Sequence, residues 1–297
     1  MDDDSRRTTP RPQLARDPRF AEISPEVGEI DQEALSDLIG EDPDHAMTLL
    51  AQMRSATDQR MAQLAARLAG QLVLDVARVG PIQARGVGAL ASSPADRVDG
   101  DLDLDASLDG LVRARAGGEA VDPSELRVRH WTQPTTAVSL VIDRSGSMSG
   151  RRLAIAAVAA AACAHRAPVD WSVLAFADRT IALKSQQEAR SPMAVVDDLL
   201  RLRGQGVTDL AGALQAAARQ LERSRAKRRV TILLSDCRST FGADPLAAAR
   251  RLDELCVVAP ADDADDAERF ARDVGARCAV VGEPSDIPAA FLQVLDR

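Results

Sequence analysis

Tyrosine is absent from this chain, and aromatic residues of all kinds make up only 2% of it. So few rings leave little on which nucleobases could stack. A net charge of -8 and a pI near 5.1 likewise supply no basic field, so both features argue against nucleic-acid binding. The four cysteines, Cys163, Cys237, Cys256 and Cys278, stand singly. With no C-x-x-C spacing there is no thiolate zinc site or redox pair to propose, and small reduced core residues are expected. Histidine is equally scarce: His45, His130 and His165 show no H-E-x-x-H spacing and read as surface or packing residues. The only lysines, Lys184 and Lys227, do not follow a Gly-rich loop, so the chain cannot supply a phosphate-binding P-loop. No window approaches the roughly 18 uninterrupted apolar residues of a membrane span. The opening Met1-Asp-Asp-Asp4 lacks the layout of a signal peptide. A soluble cytoplasmic protein is expected.

With 45% apolar and 28% charged residues over 297 positions, there is material for a sizeable core. Residues 1–40, rich in Asp, Arg, Pro and Glu, read as a disordered or loosely attached tail. A helical region is expected over 41–125. Asp42 and Pro43 start one helix carrying Met47, Leu50 and Met53. Thr57-Asp58 starts a second, with Met61, Leu64, Ala65, Leu68, Leu72 and Val76 in an i, i+3, i+4, i+7 stripe that Gly80-Pro81 ends. The acidic run Asp99 to Asp105 invites a calcium-loop reading but fails its register. Counting from Asp101, the sixth position is Ala106 and the twelfth Val112, where Gly and Glu are needed. Asp105 is instead expected to cap a helix ending near Gly117-Gly118. Leu126 to Trp131 alternates as a half-exposed strand, and an antiparallel pairing with the next strand is expected.

From 126 to 297 apolar strand-like runs alternate with helical stretches. This predicts an α/β fold with a doubly wound, mostly parallel sheet, preceded by the smaller helical region. Three segments in it stop on oxygen-bearing side chains: Val138-Ser-Leu-Val-Ile runs into Asp143-Arg-Ser145-Gly-Ser147, a Gly-rich loop carries Thr208-Asp209, and the strand from Arg229 ends on Ser235-Asp236. Strands of a parallel sheet deliver their carboxyl ends to one edge, where such folds bind ligands. The candidate donors Asp143, Ser145, Ser147, Thr208 and Asp236 are all hard oxygens, which select Mg²⁺ or Mn²⁺ over zinc. Two carboxylates roughly balance a divalent ion, and neutral hydroxyls leave it electron-poor enough to accept an anionic oxygen from another protein.

These five residues resemble the complete metal-ion-dependent adhesion site of von Willebrand factor A (VWA) domains. In that family the serines coordinate directly, the threonine changes between direct and water-mediated contact, and the acids act largely through water. The helical part, including Leu72-Val-Leu-Asp-Val-Ala-Arg78, is similar to bacterial intracellular VWA proteins linked to MoxR-type AAA+ ATPases, the CoxE family and metal-chelatase D subunits among them. The resemblance implies a Mg²⁺-dependent adaptor or co-chaperone with two partners, the ATPase and a client that supplies an acidic ligand. Its work would be metalloenzyme maturation, metal insertion or complex assembly.

An enzyme is not expected. Gly146-Ser-Met-Ser-Gly150 has Met148 where a nucleophile elbow needs serine, and no His or Lys base accompanies the oxygen cluster. The alternative is a metal-assisted phosphoesterase or other Mg²⁺-dependent hydrolase. The basic run Arg223 to Arg229 reads as dipole-complementing charge at a helix C-terminus. An extracellular adhesion role is disfavoured by the single thiols.

Overall fold

A computed structural model describes residues 9–54, 56–78, 89–95, 101–117, 122, 125–132, 136–144, 150–202, 204 and 206–295. The chain divides into two compact units: residues 1–80 together with 136–297, and residues 81–135.

The larger unit begins with five helices: α1 (Arg11–Leu14), α2 (Pro18–Ile23), α3 (Gln32–Glu41), α4 (Pro43–Met53) and α5 (Gln59–Arg78). The region expected as a loose tail thus contains three helices. Its few large apolar residues are the reason, since Leu14, Phe20, Ile23, Leu35 and Leu38 are all buried in the main core. Asp42 caps α4 by accepting from the His45 N–H at 2.9 Å, and Asp58 caps α5 through the N–H groups of Arg60 and Met61. The α5 stripe is realised as Met61, Ala65, Ala69, Leu72 and Val73, and it forms no separate helical domain.

After these helices the larger unit continues with β4 (Thr136–Asp143), α7 (Arg151–Arg166), β5 (Trp171–Phe176), β6 (Thr180–Lys184), α8 (Pro192–Leu199) and α9 (Leu210–Leu221). Then come β7 (Arg228–Leu234), α10 (Pro245–Ala249), β8 (Leu255–Pro260), α11 (Asp265–Val274), β9 (Arg277–Val281), a 3-10 turn (Pro284–Asp286) and α12 (Ile287–Leu295). The six strands lie in the order β6-β5-β4-β7-β8-β9, parallel except for β6, which pairs antiparallel with β5. The expected doubly wound architecture is therefore the observed one.

Period-2 alternation splits the strands between two cores. Val138, Leu140 and Ile142 face the core shared with α5, α7, α8 and α12, whereas Val141 and Leu233 face the one shared with α9, α10 and α11. Helix α7 is buried from Leu153 to Ala164 because the amino-terminal helices cover the side that the sheet leaves open. At its start Gly150 adopts φ +52, and a Cβ there would come 3.0 Å from Gln52 Nε2 of α4. Glycine therefore lets α4 close onto the beginning of α7. Arg54 bonds Asp197 at 3.0 Å, and Ser285 N–H donates to Asp44 at 2.8 Å, fixing the same layer at two further points.

The smaller unit holds β1 (Ala89–Pro94), β2 (Asp101–Leu102), α6 (Leu104–Gly117) and β3 (Arg127–Thr132), with strand order β1-β3-β2. Two expectations are corrected here. β3 does not pair with β4; both its edges are taken by β1 and β2, so the expected boundary at 126 does not separate the compact units. The cap of α6 is Asp103, not Asp105: Asp103 accepts from Ala106 N–H at 3.2 Å while buried against Arg129 at 2.9 Å. A charge with that partner can be buried, whereas the Asp105 side chain is 97% exposed. Gly80-Pro81, expected to end α5, lies outside the described residues.

Candidate metal site at the carboxyl edge of the sheet

The chain runs from β4 to β5 on one side and returns to β7 on the other, so the strand order reverses at β4. A reversal splays the connections apart and leaves a crevice beyond the carboxyl ends. Asp143 is the last residue of β4, and Ser235-Asp236 immediately follow β7. Asp143, Ser235 and Asp236 line one cleft, together with Arg152 and Ile155 of α7. Ser235, itself buried, donates its hydroxyl to Asp143 Oδ2 at 2.6 Å and accepts from the Cys237 N–H at 2.9 Å. Cys237 has φ +62, which turns the chain sharply after Asp236. The Asp143 side chain is thus held by a serine that sequence reasoning named only as part of a strand end.

Thr208 is also buried. Its carbonyl accepts from the N–H groups of Thr240 and Phe241 at 3.1 and 3.2 Å, and its own N–H donates to Thr240 Oγ1 at 2.9 Å. The loop after β7 and the loop before α9 are therefore stitched together. Asp209 completes the attachment: its N–H donates to the Ala177 carbonyl at 2.8 Å, and its carboxylate caps α9 by accepting from Gly212 N–H at 2.9 Å. That carboxylate lies in a slot between two glycines. A Cβ on either Gly212 or Gly242 would come within 2.3 Å of one of its oxygens. The sequence signal for this slot is Thr208-Asp-Leu-Ala-Gly212, a cap with a glycine three residues on; its second wall, Gly242, is visible only in three dimensions.

Of the five predicted donors, Asp143 and Asp236 share the cleft, and Thr208 is fixed to the loop that follows Asp236. Ser145 and Ser147 lie outside the described residues. Burial is the largest cause of an upward pKa shift at Asp236; its bond from the Arg238 N–H opposes the shift, and the neighbouring charges of Asp143 and Asp263 add to it. Two acids drawn toward one cleft in a half-buried setting, with Thr208 bonded to the loop that follows one of them, are a donor set that fits a hard divalent cation. Among the described residues there is no group of three or more His, Cys, Asp or Glu side chains that could hold a metal, so any cation here depends on hydroxyls as well as carboxylates.

A sequence profile for the family of VWA domain-containing CoxE-like proteins matches residues 76–287, more than half of the chain. The chain belongs to this family. Among solved structures, its VWA fold is similar to an aerotolerance-related membrane protein from Bacteroides fragilis, at 15% identity and TM-score 0.44, over 55% of this chain and 100% of that one. A von Willebrand factor type A protein from Catenulispora acidiphila matches at 16% identity and TM-score 0.43, over 55% and 42% of the two chains. The manganese-loaded TRAP protein of Plasmodium vivax matches at 16% and 0.45, over 53% and 72%. No curated protein matches the sequence.

The features set aside on sequence grounds have structural partners in this VWA protein. Arg228 pairs with Glu254 at 2.7 Å and with the Leu295 carbonyl, and Arg229 donates to the Ser224 carbonyl, so part of the basic run is consumed internally. All four cysteines are free thiols. No helix among the described residues is long and apolar enough to cross a membrane.

Proposed function

We propose that this VWA protein is a non-enzymatic, Mg²⁺-dependent protein-binding module, with Asp143, Ser145, Ser147, Thr208 and Asp236 as its metal site. The observation that carries the reading is the convergence of Asp143 and Asp236 on one cleft at the strand-order reversal, with Thr208 stitched to the following loop. When bound, the cation supplies an open coordination position for a partner's carboxylate. The chain's own part is to hold the donors in place: Ser235 orients Asp143, Thr240 fixes Thr208, and Asp209 pins that loop to Ala177, the residue after β5.

A binding role is favoured over hydrolysis by the lining of the cleft. Among its described residues Arg152 is the one basic side chain, and it is paired with Asp262 at 3.0 Å. General acid-base chemistry needs a group within hydrogen-bond reach of the reacting atoms, and no described lining residue offers one beyond the two acids themselves.

Membership of the CoxE-like family supports the further reading as an adaptor or co-chaperone. One partner would be a MoxR-type AAA+ ATPase and the other a client supplying an acidic ligand, in metalloenzyme maturation, metal insertion or complex assembly. The test is titration of the purified chain with Mg²⁺, and affinity capture from cytoplasm with and without EDTA, for wild type and Asp143→Ala. Mg²⁺ binding and capture of an AAA+ ATPase or its client should both disappear in the variant while circular dichroism stays native. Capture unchanged by EDTA and by the substitution would refute the metal-bridged reading.

A further inference from the structure

A surface helix of a globular protein turns its large apolar residues inward and its small or polar ones to water. Helix α6 of the smaller unit does the opposite. Its inward face is Asp103, Ser107 and Gly110, which recur at i, i+4 and i+7 and are all buried. Its outward face is Leu104, Leu108 and Val112, at i, i+4 and i+8, and these are 60%, 57% and 59% exposed. Single exposed apolar side chains are ordinary, whereas an unbroken aliphatic stripe along a helix marks an interaction surface.

Hydrogen bonds fix this orientation. The Arg127 N–H donates to the Ser107 hydroxyl at 2.8 Å, and that hydroxyl donates to the Arg127 carbonyl at 3.3 Å. Asp103 caps the helix while paired with Arg129. A Cβ on Gly110 would come 3.1 Å from Glu125 Cβ, so the backbone lies too close there for a larger side chain. Turning α6 over to bury its leucines would break all of these contacts. The stripe is therefore covered by something other than β3.

Charge identifies the cover. Helix α6 carries Asp105 and Asp109 in its amino-terminal half and Arg113 and Arg115 in its carboxyl-terminal half, hence no net charge of its own. Acids before bases suit the helix dipole. The same order makes the helix complementary to a second copy of itself laid antiparallel. With a two-fold axis level with Gly110, Leu108 of each copy lies opposite Val112 of the other, Asp105 lies opposite Arg115, and Asp109 comes alongside Arg113. A parallel pair would set like charges on like. The net charge of -8 makes two copies repel each other, and α6 adds nothing to that repulsion.

We propose that the outward face of α6 is a self-association surface on which two copies of this chain pair antiparallel, each presenting the same patch to the other. The inference does not depend on the metal site. The 14 residues of α6 span about 21 Å, which makes a small interface and a weak dimer, with a micromolar or higher dissociation constant.

The experiment is sedimentation velocity of the full chain from low micromolar to millimolar concentration. A monomer–dimer equilibrium is expected. Leu108→Ser and Val112→Ser should each weaken it about tenfold. The paired reversals Asp105→Arg with Asp109→Arg, and Arg113→Asp with Arg115→Asp, should each be monomeric, because the altered helix repels its own copy. Mixing the two reversed chains should restore a dimer. Circular dichroism checks that every variant folds. A wild-type chain that stays monomeric to millimolar concentration overturns the proposal, as does a dimer indifferent to both serine substitutions. Failure of the mixed reversed chains to associate overturns the antiparallel charge pairing. A lowered urea midpoint for Leu108→Ser in a chain that remains monomeric would show that the chain itself covers the stripe, and overturns the proposal as well.

Discussion

Replacing Gly242 by alanine should disable the loop that carries the metal site, at a cost the geometry allows to be worked out. At φ +98 an L-residue is strained by about 1–2 kcal/mol. The new methyl would also lie 2.3 Å from Asp209 Oδ1 and 2.9 Å from its Cγ, far inside van der Waals contact. Asp209 cannot simply swing away on the other side, because its second oxygen is already close against Gly212. The carboxylate must leave its slot and give up the bond to Gly212 N–H, and a lost N-cap costs about 1 kcal/mol. The sum is about 2–3 kcal/mol, readable by urea denaturation. Asp209→Ala alone should cost only the cap, about 1 kcal/mol. The double variant should be no less stable than Gly242→Ala by itself, since the displaced group is already gone, giving a coupling of about 1 kcal/mol in the cycle. Additive losses, or a loss below about 0.5 kcal/mol for Gly242→Ala, would refute the reasoning.

Other perturbations test the remaining links. Ser235→Ala removes the hydroxyl held 2.6 Å from Asp143, a bond to a charged group, and should cost about 1.5–3 kcal/mol in chemical denaturation while weakening Mg²⁺ in calorimetric titration. Phe291→Ala, at a fully buried position on α12, should cost about 3–5 kcal/mol and leave Mg²⁺ affinity near wild type. Lys184 is buried with its Nζ 2.6 Å from the Trp171 carbonyl, and burial lowers its pKa below the ordinary 10.5, against the raising effect of Glu188 and Asp170. The unfolded chain therefore binds more protons over the interval between the folded pKa and 10.5, so stability rises with pH there. Lys184→Met should remove that contribution to the slope of denaturation midpoint against pH; an identical slope in the variant would show that this lysine is not the source.

The α/β alternation after residue 136 was legible because the strands are short runs rich in β-branched residues and leucine, and α8, α9 and α10 each open on a capping side chain, Ser191, Asp209 and Asp244. Asp42, Asp58 and Ser191 cap helices where they stand in the sequence. The metal-site candidates were legible for the same local reason: a run that stops on Asp143 and another that stops on Ser235-Asp236 must put those residues at strand ends. Less was legible in residues 89–94, whose Ala-Leu-Ala-Ser-Ser-Pro has little strand propensity and pairs only because β3 offers an edge. The helices over 11–41 were hidden by composition, since a polar segment reads as a tail until its few apolar residues meet a surface that buries them.

By itself, then, the sequence determined the strand and helix order, the placement of oxygen donors at strand ends, and the absence of a P-loop or a histidine-based metalloprotease motif. These are properties of neighbours along the chain, set by periodicity, capping and residue chemistry. Tertiary structure alone decided that the amino-terminal helices belong to the sheet's own unit, and that β3 lies outside that sheet. It also decided that Ser235 holds Asp143, and that Asp209 sits between two glycines thirty residues apart in the chain. Those arrangements depend on which surfaces meet, and the free energy of burying a face is assigned only when its partner is in place.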